Sequence, residues 1–292
     1  MLLIECLESC LWYFHGLVRA RHAIEGPRGG SPMETKVLRA LSRPEVDGAI
    51  EDHVLAAKNA GYDGIECAAP SIPPQTWLAV LREHELDYVG IVEADDTDAF
   101  RSEMDRILPY APILLSAQSG LDRMPFRDGC HFFLAALEAE RAAGVPVAHE
   151  THRGRLLFTP WATASYLQEF PELRLCADFS HWCLVCGSML DDNADEVQLA
   201  CEHALHIHAR VGSQERLQVA DPRAPECAGY LDRYERWWDA IREARRGDGA
   251  PAITVTPRCG PLLGHAQVPA HPADPADLCD WLSQRIRRRW NA

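Results

Sequence analysis

The stretch KVLRALSRPEVDG, residues 36–48, carries the first clear strand pattern of the chain and the turn that leaves it. An apolar run rich in branched residues argues for a strand, and the proline, acidic residues and glycine after it argue for a turn. An open, doubly wound sheet ordinarily binds its ligand through a glycine-rich first turn. Ser42 to Gly48 is not such a turn, which leaves the other arrangement of alternating strands and helices, a closed barrel.

Outward from this point, eight short apolar runs alternate with amphipathic stretches. They are KVLRALS (36–42), GIECA (64–68), DYVGIVEA (87–94), PILLSAQ (112–118), VPVAHE (145–150), RLCADFS (174–180), LHIHARV (205–211) and AITVTP (252–257). Helical patterns lie between them, such as IEDHVLAAKNAG (50–61), FFLAALEAERAAG (132–144) and LDRYERWWDAIREARR (231–246), most ending at glycine or a turn. Eight strand-then-helix units over about 250 residues predict a single-domain α/β fold, a (β/α)8 TIM barrel. Residues 22–32, HAIEGPRGGSP, read as linker, so the expected division is an N-terminal extension, 1–32, dispensable for folding, and a barrel over 33–292.

Composition narrows the class. The chain has 292 residues, 47% of them hydrophobic, and a formal charge of −14. Its one basic cluster, RIRRRW at 285–290, ends the last predicted helix, where cations suit the negative end of the dipole. Nucleic acid is therefore not an expected partner. Eleven cysteines without a repeating spacing suit a reduced, cytoplasmic protein rather than a disulfide scaffold. The apolar start, MLLIECLESCLWYFHGLVRA, is interrupted by Glu5 and Glu8 and lacks a basic leader. No run approaches the ~18–20 apolar residues of a membrane span. A small-molecule substrate is the expected partner, with a homodimer left open.

In a barrel of this type the chemistry sits where strands end. Strand two ends near Glu66, strand five on Glu150 and His152, and strand six on Asp178 and His181; strand seven carries His206, His208 and Arg210. A carboxylate from strand five, one from strand six and an imidazole from strand seven suit one divalent ion, Mn²⁺, Co²⁺, Zn²⁺ or Mg²⁺. The competing reading is a rim of charges paired with Arg153, Arg155 and Arg210. Alternation puts His206 and His208 on one face; His208, nearer the rim, is the expected ligand, and His206 a packed or supporting group. His181 either reaches or orients a substrate oxygen, or is a rim histidine bonded to Asp178 or a backbone carbonyl. CLVC (183–186) has no second cysteine pair at zinc spacing, so packing is the expectation there. Leu231, Tyr234, Trp237, Trp238 and Ile241 form the buried stripe of one helix. DPRAPE (221–226) reads as a lid or a plain connector.

Together, HETHRGR, DFSHW and HIHARVG followed by DPRAPE resemble, in order and spacing over roughly residues 36–265, the sugar-phosphate isomerase/epimerase family with its xylose-isomerase-like TIM barrel. The resemblance implies a single divalent metal held by Glu150, Asp178, His208 and a second glutamate, with His181 touching substrate. Similar sequences end strand eight on a motif like T-P-E-F-G-P. Here the same place reads Thr256-Pro257-Arg258-Cys259-Gly260-Pro261, so an arginine stands where the fourth ligand would be. A guanidinium about 5 Å from a dication at an effective dielectric of ~20 costs on the order of 6–7 kcal/mol before screening. Three outcomes are open. Arg258 swings outward to bind a substrate carboxylate or phosphate; or it fills the metal's place and pairs with Glu150 and Asp178; or the barrel is catalytically silent and binds a small anion or a protein partner.

For an α-hydroxy carbonyl compound, a metal on the carbonyl and hydroxyl oxygens stabilises the enediolate, and Glu150 is the expected base. In related epimerases the strand-eight glutamate supplies the opposite-face proton, so its replacement argues against a two-carboxylate epimerisation. The expected activity is a metal-assisted isomerase or related proton-transfer enzyme on a sugar-like substrate bound by His152, His181, Arg210 and Arg258. A dehydratase or lyase step from the same enediolate stays open. Cys259 is either a replacement thiol acid or a packed strand-end residue.

Overall fold

The computed structural model describes residues 33–260 and 273–291. The expected extension, 1–32, lies outside the described residues, as does Pro261 of the strand-eight motif. The described residues belong to one compact unit.

Eight parallel strands close on themselves: β1 (Glu34–Ala40), β2 (Gly64–Cys67), β3 (Asp87–Ala94), β4 (Leu114–Ser119), β5 (Val147–Glu150), β6 (Leu175–Ala177), β7 (Ala204–Ala209) and β8 (Ala252–Pro257). Each pairs with the next, and β8 pairs back onto β1 with Glu34 opposite Ala252 and Val37 opposite Val255. Helices follow the strands: α1 (Ile50–Asn59), α2 (Pro74–His84), α3 (Thr97–Ile107), α4 (Phe126–Ala143), α5 (Pro160–Glu169), α6 (Phe179–Cys186), α7 (Ala194–His203), α8 (Ala228–Gly247) and α9 (Pro275–Trp290). This is a single (β/α)8 TIM barrel, and none of its described helices is long and apolar enough to cross a membrane.

Strand alternation sorts side chains between two cores. In β8, Ile253 and Val255 are buried in the main apolar core with the helices, whereas Thr254 and Thr256 turn inward and meet His206. Each such aliphatic side chain contributes roughly 1.5–3 kcal/mol by leaving water. A small cluster of Leu38, Val89, Leu114, Ala148 and Cys176 fills the barrel's interior. Two residues beyond Ala148 and Cys176, on the same inward side, come Glu150 and Asp178. The polar site is therefore the next layer toward the C-terminal rim. The predicted stripe of α8, Leu231, Tyr234, Trp237, Trp238 and Ile241, is buried as expected.

One strand boundary differs instructively. The sixth strand, expected over 174–180, stops at Ala177, because Asp178 caps α6 instead of extending the sheet. CLVC thereby falls on α6, where Cys183 is buried and accepts a hydrogen bond from the Tyr234 hydroxyl at 3.4 Å; its role is packing.

Candidate metal and active site

His208 sits at the centre. Its Nε2 is 2.7 Å from Glu66 Oε1 and its Nδ1 is 3.0 Å from Glu150 Oε1, so one imidazole links carboxylates from β2 and β5. Asp178 completes the group: ligand atoms of Glu150, Asp178 and His208 all lie within 4.8 Å of one another, and all three residues are buried. A second set, Glu150, His152 and His181, shares Glu150 and meets the same distance limit.

The chain fixes these groups by short local links. Thr151 Oγ1 accepts the Asp178 backbone N–H at 2.8 Å, tying the end of β5 to the end of β6. Asp178 Oδ1 caps α6 by accepting from Ser180, while Oδ2 accepts from Arg210 Nε at 3.0 Å. His181, in the first turn of α6, accepts the Arg153 N–H on Nδ1 at 3.3 Å. Its proton is thus on Nε2, 3.7 Å from Asp178 Oδ2. The His152 ring lies 4.0 Å from that of His181, and its buried Nδ1 has no partner among the described residues. His206 is packed one layer deeper between Thr254 and Thr256, as expected. After β7, Gly212 permits a close approach, since a Cβ there would stand 2.5 Å from the Leu217 carbonyl oxygen and 2.9 Å from Ser180 Cβ.

Electrostatics follow from this packing. Burial alone would raise the Glu66 pKa, but Arg258 and His208 outweigh it and hold the carboxyl well below its usual range. Glu150 is lowered in the same way, burial being overcome chiefly by His208. Burial and Arg258 both act to lower the His208 pKa, yet the facing Glu66 and Glu150 carboxylates hold the imidazole well above its ordinary value. The other rim histidines go the opposite way: burial lowers His152, and lowers His181 to about 4. At neutral pH three carboxylates, Glu66, Glu150 and Asp178, face three cations, His208, Arg210 and Arg258.

Arg258 corrects the expectations drawn for it. It neither swings outward nor pairs by contact with Glu150 and Asp178. It turns into the barrel, with its NH2 nitrogen 3.3 Å from Glu66 Oε1 and 3.2 Å from His208 Nε2, and Arg210 takes Asp178. Of the competing rim pairs only that of Arg210 forms at the site; Arg155 pairs with Asp95 at 2.6 Å. Cys259 hydrogen-bonds to Cys279 of α9, and this contact together with burial pushes its thiol pKa up. That placement fits a packed strand-end thiol. Glu66 is the residue to which sequence reasoning gave no role. Its position at the end of the second strand was visible, but its partners come from strands seven and eight.

The donor set fits a divalent ion: two carboxylates and one imidazole, with the 3.0 Å Nδ1 to Oε1 separation of neighbouring ligands on one centre. Glu66 on the other ring nitrogen is the supporting contact that metal-binding histidines ordinarily have.

No family model matches the chain, and no curated protein matches it by sequence. Solved structures do match. A xylose isomerase-like TIM barrel protein from Mycobacterium smegmatis, in complex with magnesium, aligns with a TM-score of 0.57 at 10% identity, over 83% of this chain and 88% of that one. The two chains share a fold. A probable 3-DHS dehydratase, AsbF, from Bacillus anthracis gives a TM-score of 0.53 at 14% identity, over 88% of this chain and 99% of that one. A sugar phosphate isomerase/epimerase from Parabacteroides distasonis gives 0.51 at 10% identity, over 83% and 92%. At such identities this xylose isomerase-like likeness is one of fold.

Proposed function

We propose that the chain is a divalent-metal-assisted proton-transfer enzyme, an isomerase or a dehydratase, acting on a small polyhydroxylated carbonyl compound. The observation that carries this reading is the gathering of Glu150, Asp178 and His208, with the far nitrogen of His208 held by Glu66. The barrels it resembles in fold, one bound to magnesium and others described as a dehydratase and an isomerase/epimerase, support the same class. Glu150, Asp178 and His208 would hold the ion, which when bound supplies Lewis-acid stabilisation of an enediolate.

The protein's own groups divide the remaining work. Glu150, expected as the base, is kept ionised by His208 and so far below its usual range that it is a weak proton acceptor; it serves better as a ligand. His152 is the better base. Burial keeps its ring neutral, so the ring retains a nitrogen lone pair that can take a proton from a substrate carbon and return it to the neighbouring carbon or to a departing hydroxyl. His181 keeps its Nε2 proton toward Asp178 and orients the His152 ring packed against it. Arg210 and Arg258 offer positive charge to a substrate oxyanion.

A second reading, a metal-free barrel that binds a small anion, is favoured by the balance of three carboxylates against three cations. Elemental analysis after incubation with Mn²⁺, Co²⁺ or Zn²⁺ separates the two: the proposal expects about one ion per chain. With metal retained, a panel of aldoses, ketoses and hydroxy acids in D₂O should show exchange of a carbon-bound proton by NMR. His152→Gln should slow that exchange at least ~100-fold with metal content unchanged. Absence of bound ion favours the anion-binding barrel.

A further inference from the structure

At the seam where β8 meets β1, beside the first turn of α9, lies a cavity of about 440 Å³. Arg39 of β1, Arg210 beyond β7 and Arg258 beyond β8 all line it. Its acidic lining is already engaged: Glu45 accepts from the Ser42 N–H and hydroxyl, Asp274 caps α9 through Ala276 N, and Asp280 accepts from the Tyr62 hydroxyl. The arginines are less fully used. Arg39 has only a 4.0 Å approach to Glu45, and no hydrogen bond among the described residues. Arg258 uses NH2 on Glu66 at 3.3 Å, 3.2 Å from His208 Nε2, while its Nε is buried without a partner among the described residues. The cavity thus joins the metal-ligand group through two side chains, Arg258 beside His208 and Arg210 on Asp178.

We propose that this cavity holds an oxyanion group, a carboxylate or a phosphate ester, on the substrate of the adjacent site, with Arg39 as a specificity-determining residue. The inference rests on the enzyme reading above for the word substrate, but anion capture itself does not require metal. Three guanidinium groups at one cavity supply positive charge and N–H donors in the fork geometry that carboxylates and phosphates accept. Loops after strands seven and eight are also where barrels of this class often seat phosphate.

The experiment is calorimetric titration of the full chain, stripped with chelator, against inorganic phosphate and against D-glycerate at low ionic strength. One site per chain is expected for at least one probe, weakened by added salt. Binding of phosphate alone assigns a phosphate ester, and binding of glycerate alone a carboxylate. Arg39→Gln should weaken the binding roughly tenfold, the loss of one charged hydrogen bond, and Arg39→Lys should restore part of it. Thermal melts confirm that both variants are folded. Binding of neither probe, or an Arg39→Gln protein that binds like the parent, overturns the proposal. Because no metal is present, such a failure is distinct from a failure to retain metal.

Discussion

Replacing Glu66 by glutamine tests the electrostatic centre directly. The side chain keeps its shape and loses its charge, so the buried cations on either side lose a shared counter-ion. At 2.7 Å from His208 Nε2 and 3.3 Å from Arg258, each attraction is about 5–6 kcal/mol at an effective dielectric of ~20. Desolvation of the carboxylate offsets several kcal/mol of this, and breaking a buried pair on one side typically costs about 3–5 kcal/mol. The loss should depend on pH. His208 has its pKa raised by folding, so its contribution is complete below about pH 6.5 and is lost as pH rises through the folded value. Glu66 has its pKa lowered, so its contribution is complete above about pH 4.5 and is lost as pH falls through the folded value. Urea unfolding of chelator-treated Glu66→Gln and parent should therefore differ most between about pH 5 and 6.5, and less near pH 9. Equal stability at pH 6, or a difference that does not change with pH, would refute a charged His208 held between two carboxylates.

Three further outcomes are expected. Arg258→Glu should lower the melting temperature of metal-free protein, because it sets a new carboxylate beside Glu66, and should tighten Mn²⁺ or Zn²⁺ binding by at least about tenfold in calorimetry; unchanged metal affinity would mean that Arg258 exerts no field on the ligand group. Gly212→Ala should cost about 1–3 kcal/mol in chemical denaturation, since the added methyl meets a backbone carbonyl oxygen at 2.5 Å, and parent-like stability would show that the loop after β7 yields freely. A chain beginning at Met33 should melt within about 3 °C of the full one, a shift below ~1 kcal/mol for a protein of this size; insoluble expression would give the preceding residues a structural role.

How far the sequence could be read depended on how local each cause was. The third and eighth strands were legible to the residue, because Asp87–Ala94 and Ala252–Pro257 are bounded by turn residues and carry strong branched or aromatic patterns. The sixth was overextended because Asp178 looks like strand continuation until its capping bond to Ser180 is seen. That Glu150, Asp178 and His208 would share one rim was legible because each lies at or next to the end of its own strand. What escaped was pairing across the barrel. Glu66 and His208 are 142 residues apart in the chain, and nothing local to either names the other. The destination of Arg258 was hidden for the same reason, since it is decided by a carboxylate six strands earlier.

The doubly bonded His208 ring also has a spectroscopic consequence. Both of its N–H groups point at buried carboxylate oxygens and the residue is 2% exposed, so neither proton trades readily with solvent. In metal-free protein they should give two resolved, far-downfield proton resonances that survive at neutral pH, where exposed imidazole protons vanish through exchange. An ion at Nδ1 would remove one resonance and leave the one facing Glu66. A one-dimensional spectrum then reports how full the site is, in the intact chain and without a substrate.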